Sequence, residues 1–440
     1  MPVTHISGFQ EFFPNEQLAF ESLIKIIKNN FELYGFVPLD TCVVEKSSTL
    51  LSKGNDSEIY GIYRLAGEEG NNKKDMGLRF DLTVPLARYV AKNYGNLTFP
   101  YRRYHIAPVW RGERPQAGRY RQFYQCDIDI IGDGELSQLH DGEILSVICS
   151  IFQQIKLPNF TIKINNRKLL TGIIKFCDIS DNNIAAVMRV IDKIGKITSE
   201  KMKEELLDLG LSDNNADMLI DLTNRKMDNA AWIDYLDGMN ISNQDFTEGL
   251  FELKEVMKNA EDFGADMNSI EITPALARGL TYYTGTVYET ILNDYPELGS
   301  ICGGGRYANL AENFTNKRLP GVGISIGISR LFPKLLELGL IDADKSSSAD
   351  LLITAQDKEC LPRYLEIGKM LRDIGVNLEI YLENKSLSSQ LKYAGKKGFG
   401  FVLIANKSEL ENGNVTIRNM NDGEQEILKI SELVEYFNGK

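Results

Sequence analysis

Histidine is scarce in this chain: three residues in 440. Cysteine is little commoner. The six (Cys42, Cys126, Cys149, Cys177, Cys302, Cys360) are scattered and form no CxxC pair. A zinc site of the usual ligand spacing is therefore not expected, and the expected metal ligand set is none. Free thiols without a disulfide framework fit a reducing, cytoplasmic setting. No apolar run approaches the length that spans a bilayer, so no membrane association is expected. The start, MPVTHISGFQEFF, lacks a basic segment followed by an apolar core and does not read as a secretory signal. There is no repeat and no low-complexity tract. Positive charge is in deficit, with 49 Lys and Arg against 61 Asp and Glu and a net charge of −12. That excludes indiscriminate nucleic-acid binding but leaves room for a local basic patch.

What is present is an ordinary soluble composition, 43% hydrophobic and 25% charged, over a length that suits two or three domains. Residues 15–34 carry apolar side chains at helical spacing and stop at Gly35. The stretch Cys42, Val43, Val44 is β-prone. GLRFDLTVPLARYVAKNYG (77–95) predicts a strand, a turn and a helix beginning near Pro85. VWRGERPQAGRYRQFYQCDIDIIG predicts two strands joined by a loop bearing proline and glycine. Residues 138–156 read as a helix and 160–166 as a strand. About 167–262 the pattern is helical, rich in Lys, Glu, Asp, Leu and Asn, and reads as an inserted helical subdomain. Glycine-rich, β-prone sequence returns at 271–329. A polar linker at about 341–349 (DADKSSSAD) then precedes strands alternating with helices at 360–373 and 387–397. That alternation predicts a separate α/β domain over 350–440, after a first domain over 1–340.

The chemistry concentrates in one basic stretch. From Tyr101 to Arg121 there are six arginines (Arg102, Arg103, Arg111, Arg114, Arg119, Arg121) and one acid, Glu113, a local charge of +5. Guanidinium groups present planar forks matched to phosphate and carboxylate oxygens. Forks separated by Pro115, Gly118 and aromatics suit a loop that grips a polyanion. On the strand that follows, Phe123, Gln125, Asp127 and Asp129 alternate and share one face. Polar residues on an open face of an antiparallel sheet line a cleft.

The segment RGERPQAGRYRQFYQCDID (111–129) resembles motif 2 of the class II aminoacyl-tRNA synthetases, most closely those specific for histidine. By that resemblance Arg111 contacts the α-phosphate of ATP and the substrate carboxylate, Glu113 the adenine amino group, and Phe123 stacks on adenine. Arg119 and Arg121, with Gln116, belong to the loop that meets ATP phosphates and the tRNA acceptor end. Arg330, in GVGISIGISRLF, resembles the motif 3 arginine that binds the γ-phosphate at a helix start. ALARGLTYYTGTVYE resembles the signature of the histidine enzyme. There Arg278 approaches the α-phosphate in place of a metal, and Tyr282 and Tyr283 lie at the substrate pocket. Thr281 stands where the family usually has an acid. LRFDLT resembles the amino-acid loop, with Asp81 and Thr83 at the substrate ammonium. Gln125 and Asp129 match readers of the amino group and the imidazole, and GGGRY (Gly304, Gly305, Arg306, Tyr307) completes the pocket. TCVVE matches motif 1 only in part, with Cys42 in the proline position and Glu45 retained. KSLSSQLKYAGKKG, with Lys392 and Lys396, resembles the anticodon-binding domain.

The resemblance implies a mainly antiparallel class II sheet flanked by helices, a helical insertion and a C-terminal α/β domain. It implies activation of L-histidine by ATP with Mg²⁺, transfer to tRNA(His), and a homodimer. The alternative is a non-charging paralogue, such as the regulatory subunit of ATP phosphoribosyltransferase. That paralogue lacks the C-terminal domain and the motif 2 and 3 arginines.

Overall fold

The computed structural model describes residues 4–53, 58–63, 75–115, 118–193, 197–277 and 283–439. Contacts divide the chain into two compact units, residues 1–10 with 24–340 and residues 11–23 with 341–440.

The larger unit is built on an eight-stranded sheet. In spatial order its strands are Val37–Pro38, Tyr101–Trp110, Gln122–Ile131, Gly321–Ile326, Cys302–Tyr307, Tyr283–Leu292, Phe160–Asn166 and Ile270–Ile272. The five inner pairings are antiparallel and the two edge pairings parallel. This is the antiparallel core expected above. The strand–loop–strand over motif 2 forms with unbroken pairing from Tyr101↔Ile131 to Trp110↔Gln122.

One face of the sheet is closed by helix Leu139–Gln154, which packs on strand 321–326 and on helix Gln244–Asp262. A buried charge fastens that helix. Asp141 accepts from Thr286 Oγ1 at 2.6 Å and from Arg306 Nε at 3.0 Å, and its backbone carbonyl accepts from Tyr288 at 2.9 Å. Burial pushes the Asp141 carboxyl above its usual range, and Arg306 pulls it back. Arg306, grouped with the pocket from sequence, therefore serves the helix-covered face. Residues one step along each strand point the other way, toward the cleft.

Among the described residues, six helices run between Arg167 and Asp262. Two of them cross at a pair of glycines. A Cβ on Gly249 would lie 2.1 Å from Leu169 N, and one on Gly172 would lie 2.4 Å from Phe246 N. Helix Thr83–Asn93 begins two residues earlier than Pro85 suggests, because Asp81 Oδ1 accepts the Val84 N–H at 3.0 Å and starts the first turn. The β-prone stretch at 42–44 forms a strand only from Val44 to Lys46, paired with Met76–Leu78. Glu45 there is buried and pairs with Arg88 of the 83–93 helix at 2.6 Å.

The smaller unit holds a five-stranded sheet in the order Leu378–Ile380, Leu351–Ile353, Phe401–Ile404, Asn414–Asn419, Gln425–Lys429. The first three strands are parallel and the last two antiparallel. Its core gathers Leu351, Ile353, Tyr364, Leu403, Ile417 and Leu433.

Alanine at Gly249 meets backbone, which cannot swing away. We expect Gly249→Ala to cost about 3 kcal/mol. The readout is the midpoint of the urea transition of the full chain. A midpoint within error of the parent's would refute the crossing.

Candidate functional site

The long hairpin leaves the sheet at Trp110 and Gln122, and Arg111 N–H bonds Arg121 O at 2.8 Å to close its neck. Backbone carbonyls hold the arginines beyond this point. Arg111 Nε donates to Phe80 O at 3.0 Å, and its guanidinium sits 5.0 Å from the Phe123 ring centre. Arg121 Nε donates to Glu113 O at 3.2 Å, and its Nη1 to Ser7 O at 3.4 Å. Arg330 donates from Nε to Gly118 O at 3.0 Å and from Nη1 to Ser300 O at 2.8 Å. It thus ties the basic loop to the turn before strand 302–307. Arg119 reaches Glu113 at 3.5 Å.

Arg111, Arg119 and Arg330 line a cleft of about 650 Å³, and Arg121 lies outside its lining. Its lining brings together six sequence candidates: Arg111, Glu113, Arg119, Phe123, Gln125 and Arg330. It also includes Glu289, Glu297, Ser300 and Ser325, which sequence reasoning did not single out. Gln125 Nε2 donates to Ser325 Oγ at 2.8 Å. The serine comes from the neighbouring strand, so only the sheet register reveals it.

The remaining candidates lie deeper or elsewhere. Asp129 is buried, and Tyr307 donates to its Oδ1 at 2.9 Å while Arg103 pairs with its Oδ2. Gly323 stands beside it because a Cβ there would lie 2.3 Å from Asp129 Oδ1. Tyr283 packs its ring over Gly305, where a Cβ would lie 2.9 Å from the ring. Asp81 and Thr83 mark the start of helix 83–93 and do not belong to the cleft lining. Lys392 and Lys396 are exposed, one turn apart on helix Leu387–Lys397 of the smaller unit. Arg278, Tyr282, Thr281 and Gln116 lie outside the described residues.

The model of the family described as histidyl-tRNA synthetase matches residues 8–331. The chain belongs to the histidyl-tRNA synthetase family. A second model, the anticodon binding domain, matches residues 350–440. The chain is 43% identical to a histidine–tRNA ligase of Clostridium tetani, over 98% of this chain and 97% of that protein. It is 41% identical to one from Finegoldia magna, over 98% of each. Among solved structures, a histidyl-tRNA synthetase from a Nostoc species superposes with a TM-score of 0.91 at 35% identity, covering 100% of this chain and 99% of that one. An ATP phosphoribosyltransferase regulatory subunit/histidyl-tRNA synthetase from Bacillus halodurans matches with a TM-score of 0.74 at 20% identity, covering 89% and 97%. That likeness shows the fold alone.

Beneath the cleft of this synthetase-family chain lies a layer of buried charge. His105, Arg103, Asp127 and Asp129 face one another across strands 101–110 and 122–131. Burial, then the Arg103 and Arg79 guanidinium groups, push the His105 imidazole down to about 3. It is a neutral ring whose Nε2 hydrogen goes to Asp40 at 3.0 Å. Burial pushes the Asp127 carboxyl up to about 7, against the pull of Arg103 and Ser325.

These two groups act on stability with opposite sign. Asp127 in the folded chain keeps a proton that the unfolded chain loses near pH 4, so it makes stability fall between about pH 4 and 7. His105 takes a proton only when unfolded, so it makes stability rise from about pH 3 to 6.5. The slopes oppose each other over the shared window. Asp127→Asn removes one of them. Its stability should climb from pH 4.5 to 6.5 more steeply than the parent's, by up to about 1.4 kcal/mol per pH unit. Urea midpoints at the two pH values decide it, and equal slopes would count against the assignment.

Proposed function

We propose that this chain is a histidine–tRNA ligase, which activates L-histidine with ATP and then charges tRNA(His). The observation that carries the reading is the convergence of Arg111, Glu113, Arg119, Phe123 and Arg330 on one cleft beside Gln125. Amino-acid activation requires a carboxylate held near the α-phosphate of ATP, with positive charge where the phosphate charge shifts. In this reading Phe123 and Glu113 hold the adenine. Arg119 and Arg330 take the outer phosphates. Arg111 bridges the histidine carboxylate and the α-phosphate, and Arg278 serves the α-phosphate in place of a metal. The carboxylate oxygen attacks the α-phosphorus and pyrophosphate leaves. The terminal ribose hydroxyl of tRNA then attacks the adenylate carbonyl and AMP leaves. Asp81, Thr83 and Gln125 receive the ammonium, and Asp129, Tyr307, Tyr282 and Tyr283 surround the imidazole. Gln116 and Arg121 meet the acceptor end, and Lys392 and Lys396 the anticodon region.

Mg²⁺ fits this cleft as a companion of the ATP phosphates. Such an ion needs only one or two protein carboxylates, and Glu289 and Glu297 of the cleft lining would be the ones to hold it. Its contribution is to neutralise phosphate charge. Among the described residues no three His, Cys, Asp or Glu side chains gather for a protein-held metal. A homodimer is part of the proposal. Val43, Val44 and Met76, on and beside the paired strands 44–46 and 76–78, are exposed apolar residues that a second subunit would cover. No helix among the described residues is long and apolar enough to cross a membrane, and we place the enzyme in the cytoplasm. The non-charging paralogue is the weaker reading, since this chain keeps Arg111, Arg119, Arg278 and Arg330 and carries the 350–440 domain.

ATP–pyrophosphate exchange with each of the twenty amino acids, followed by tRNA charging, tests the proposal. Exchange with histidine alone, with charging, supports it. Histidine binding without exchange supports the paralogue. Arg111→Ala and Arg278→Ala should each lower the adenylation rate at least ~10²-fold. A rate near the parent's in either variant defeats the mechanism. Asp129→Ala should raise the histidine KM far more than the ATP KM.

A further inference from the structure

Arg103 is fully buried, its charge on the cleft side of the sheet. Burying a guanidinium is costly unless something inside the protein needs it. Its Nη2 pairs with Asp129 Oδ2, the same carboxylate whose Oδ1 accepts from Tyr307. Its Nε and Nη1 have no hydrogen-bond partner among the described residues, and neither does Oδ1 of Asp127 on the same face. Arg103 is thus one positive charge facing two carboxylates, and only one of these is ion-paired to it. The other side of Asp129 is held open by Gly323, where any side chain would strike the carboxylate.

We infer that Arg103 is a positioning residue for amino-acid selection: by ion pairing it keeps Asp129 a carboxylate, fixed in direction with Tyr307, so that an imidazole N–H has a charged acceptor. The inference rests on the proposed place of Asp129 in the histidine subsite. Its physical logic is the short reach of aspartate. Asp129 is anchored at both oxygens, so its position follows from Arg103 and Tyr307 and not from a freely rotating side chain. Asp127 reinforces the arrangement. Burial raises its carboxyl to about 7, which weakens its competition for the guanidinium. The charged and titratable groups facing Asp129 and Asp127 are Arg103 and His105 from strand 101–110, Tyr307 from strand 302–307, and Asp81 from the loop before helix 83–93.

Without the guanidinium, Asp129 is a buried carboxylate with no cation paired to it, and burial then favours its protonated form. In full-length Arg103→Met the histidine KM in pyrophosphate exchange should rise at least ~10-fold while the ATP KM changes less than ~3-fold. The parent-to-variant ratio should also acquire a pH dependence, with the histidine KM of the variant improving between pH 6 and 8 as Asp129 loses its proton. Arg103→Lys, which retains a cation, should recover most of the loss. A purely structural role predicts equal damage to both substrates and no change in pH profile, and that outcome overturns the inference. Should Arg103→Met fail to fold, Arg103→Gln, which keeps hydrogen-bond donors without the charge, supplies the measurement. The inference expects loss of histidine selection with ATP KM retained, and retained histidine KM refutes it. Asp129→Asn alone separates the two layers of argument. If it leaves the histidine KM unchanged, the subsite reading fails. If it raises that KM and Arg103→Met does not, only the role of Arg103 fails.

Discussion

Everything in the cleft depends on the register of one hairpin. Strands 101–110 and 122–131 pair without a bulge, and that pairing sets Arg103 opposite Asp129, His105 opposite Asp127 and Ala107 opposite Gln125. Side chains alternate with a period of two, so a slip of one residue would turn all of these to the helix-covered face. Ile128 and Ile130, now buried under helices, would then stand in the cleft. The apolar demand of one face therefore fixes the polar geometry of the other. The strand 321–326 extends the constraint, placing Gly323 beside Asp129 and Ser325 beside Asp127. The same strand pairs Gly323 with Gly305, and the missing side chains give the substrate side of the sheet its depth.

Much of this was legible in the chain because its signals are local. The basic loop between two strand patterns, the helix at 387–397 and the strand at 160–166 are each written in consecutive residues, and they form as read. The helix start at Thr83 was read two residues late because the side chain of Asp81, not the ring of Pro85, begins the turn. Long-range partners were not legible. Arg103 looked like one more member of a basic stretch, yet it is buried, whereas Arg114 and Arg119 are exposed. Only pairing across strands separates them. Arg306 was placed in the pocket by its glycine neighbours, but its true partner, Asp141, is 165 positions away in sequence. The two last strands, 414–419 and 425–429, carry no such local signal. The second is largely exposed and carries little apolar alternation to betray it.

The arginines in the cleft and at the neck of its hairpin show how a positive site is held ready before an anion arrives. Arg111, Arg121 and Arg330 each donate to backbone carbonyls, from Phe80, from Glu113 and Ser7, and from Gly118 and Ser300. Such bonds fix the direction of each guanidinium without themselves cancelling its charge, because a carbonyl is a dipole and not an ion. A carboxylate partner would also orient an arginine, but it would cancel the field that an incoming phosphate needs. Asp129 and Asp141 show the contrast. Where an arginine serves inside the protein, to orient Asp129 at Arg103 or to fasten a helix at Arg306, a carboxylate is supplied and the pair is buried. Where the protein needs charge presented outward, it uses carbonyls. Glu113 is the exception within the loop, 3.5 Å from Arg119. In the proposed mechanism that acid has its own task at the adenine, so ATP binding would draw Glu113 from Arg119 and give the arginine to phosphate. The negative charge of the chain as a whole strengthens this logic: a local positive field in an acidic protein selects for ligands that fit the forks closely, since distant attraction is absent.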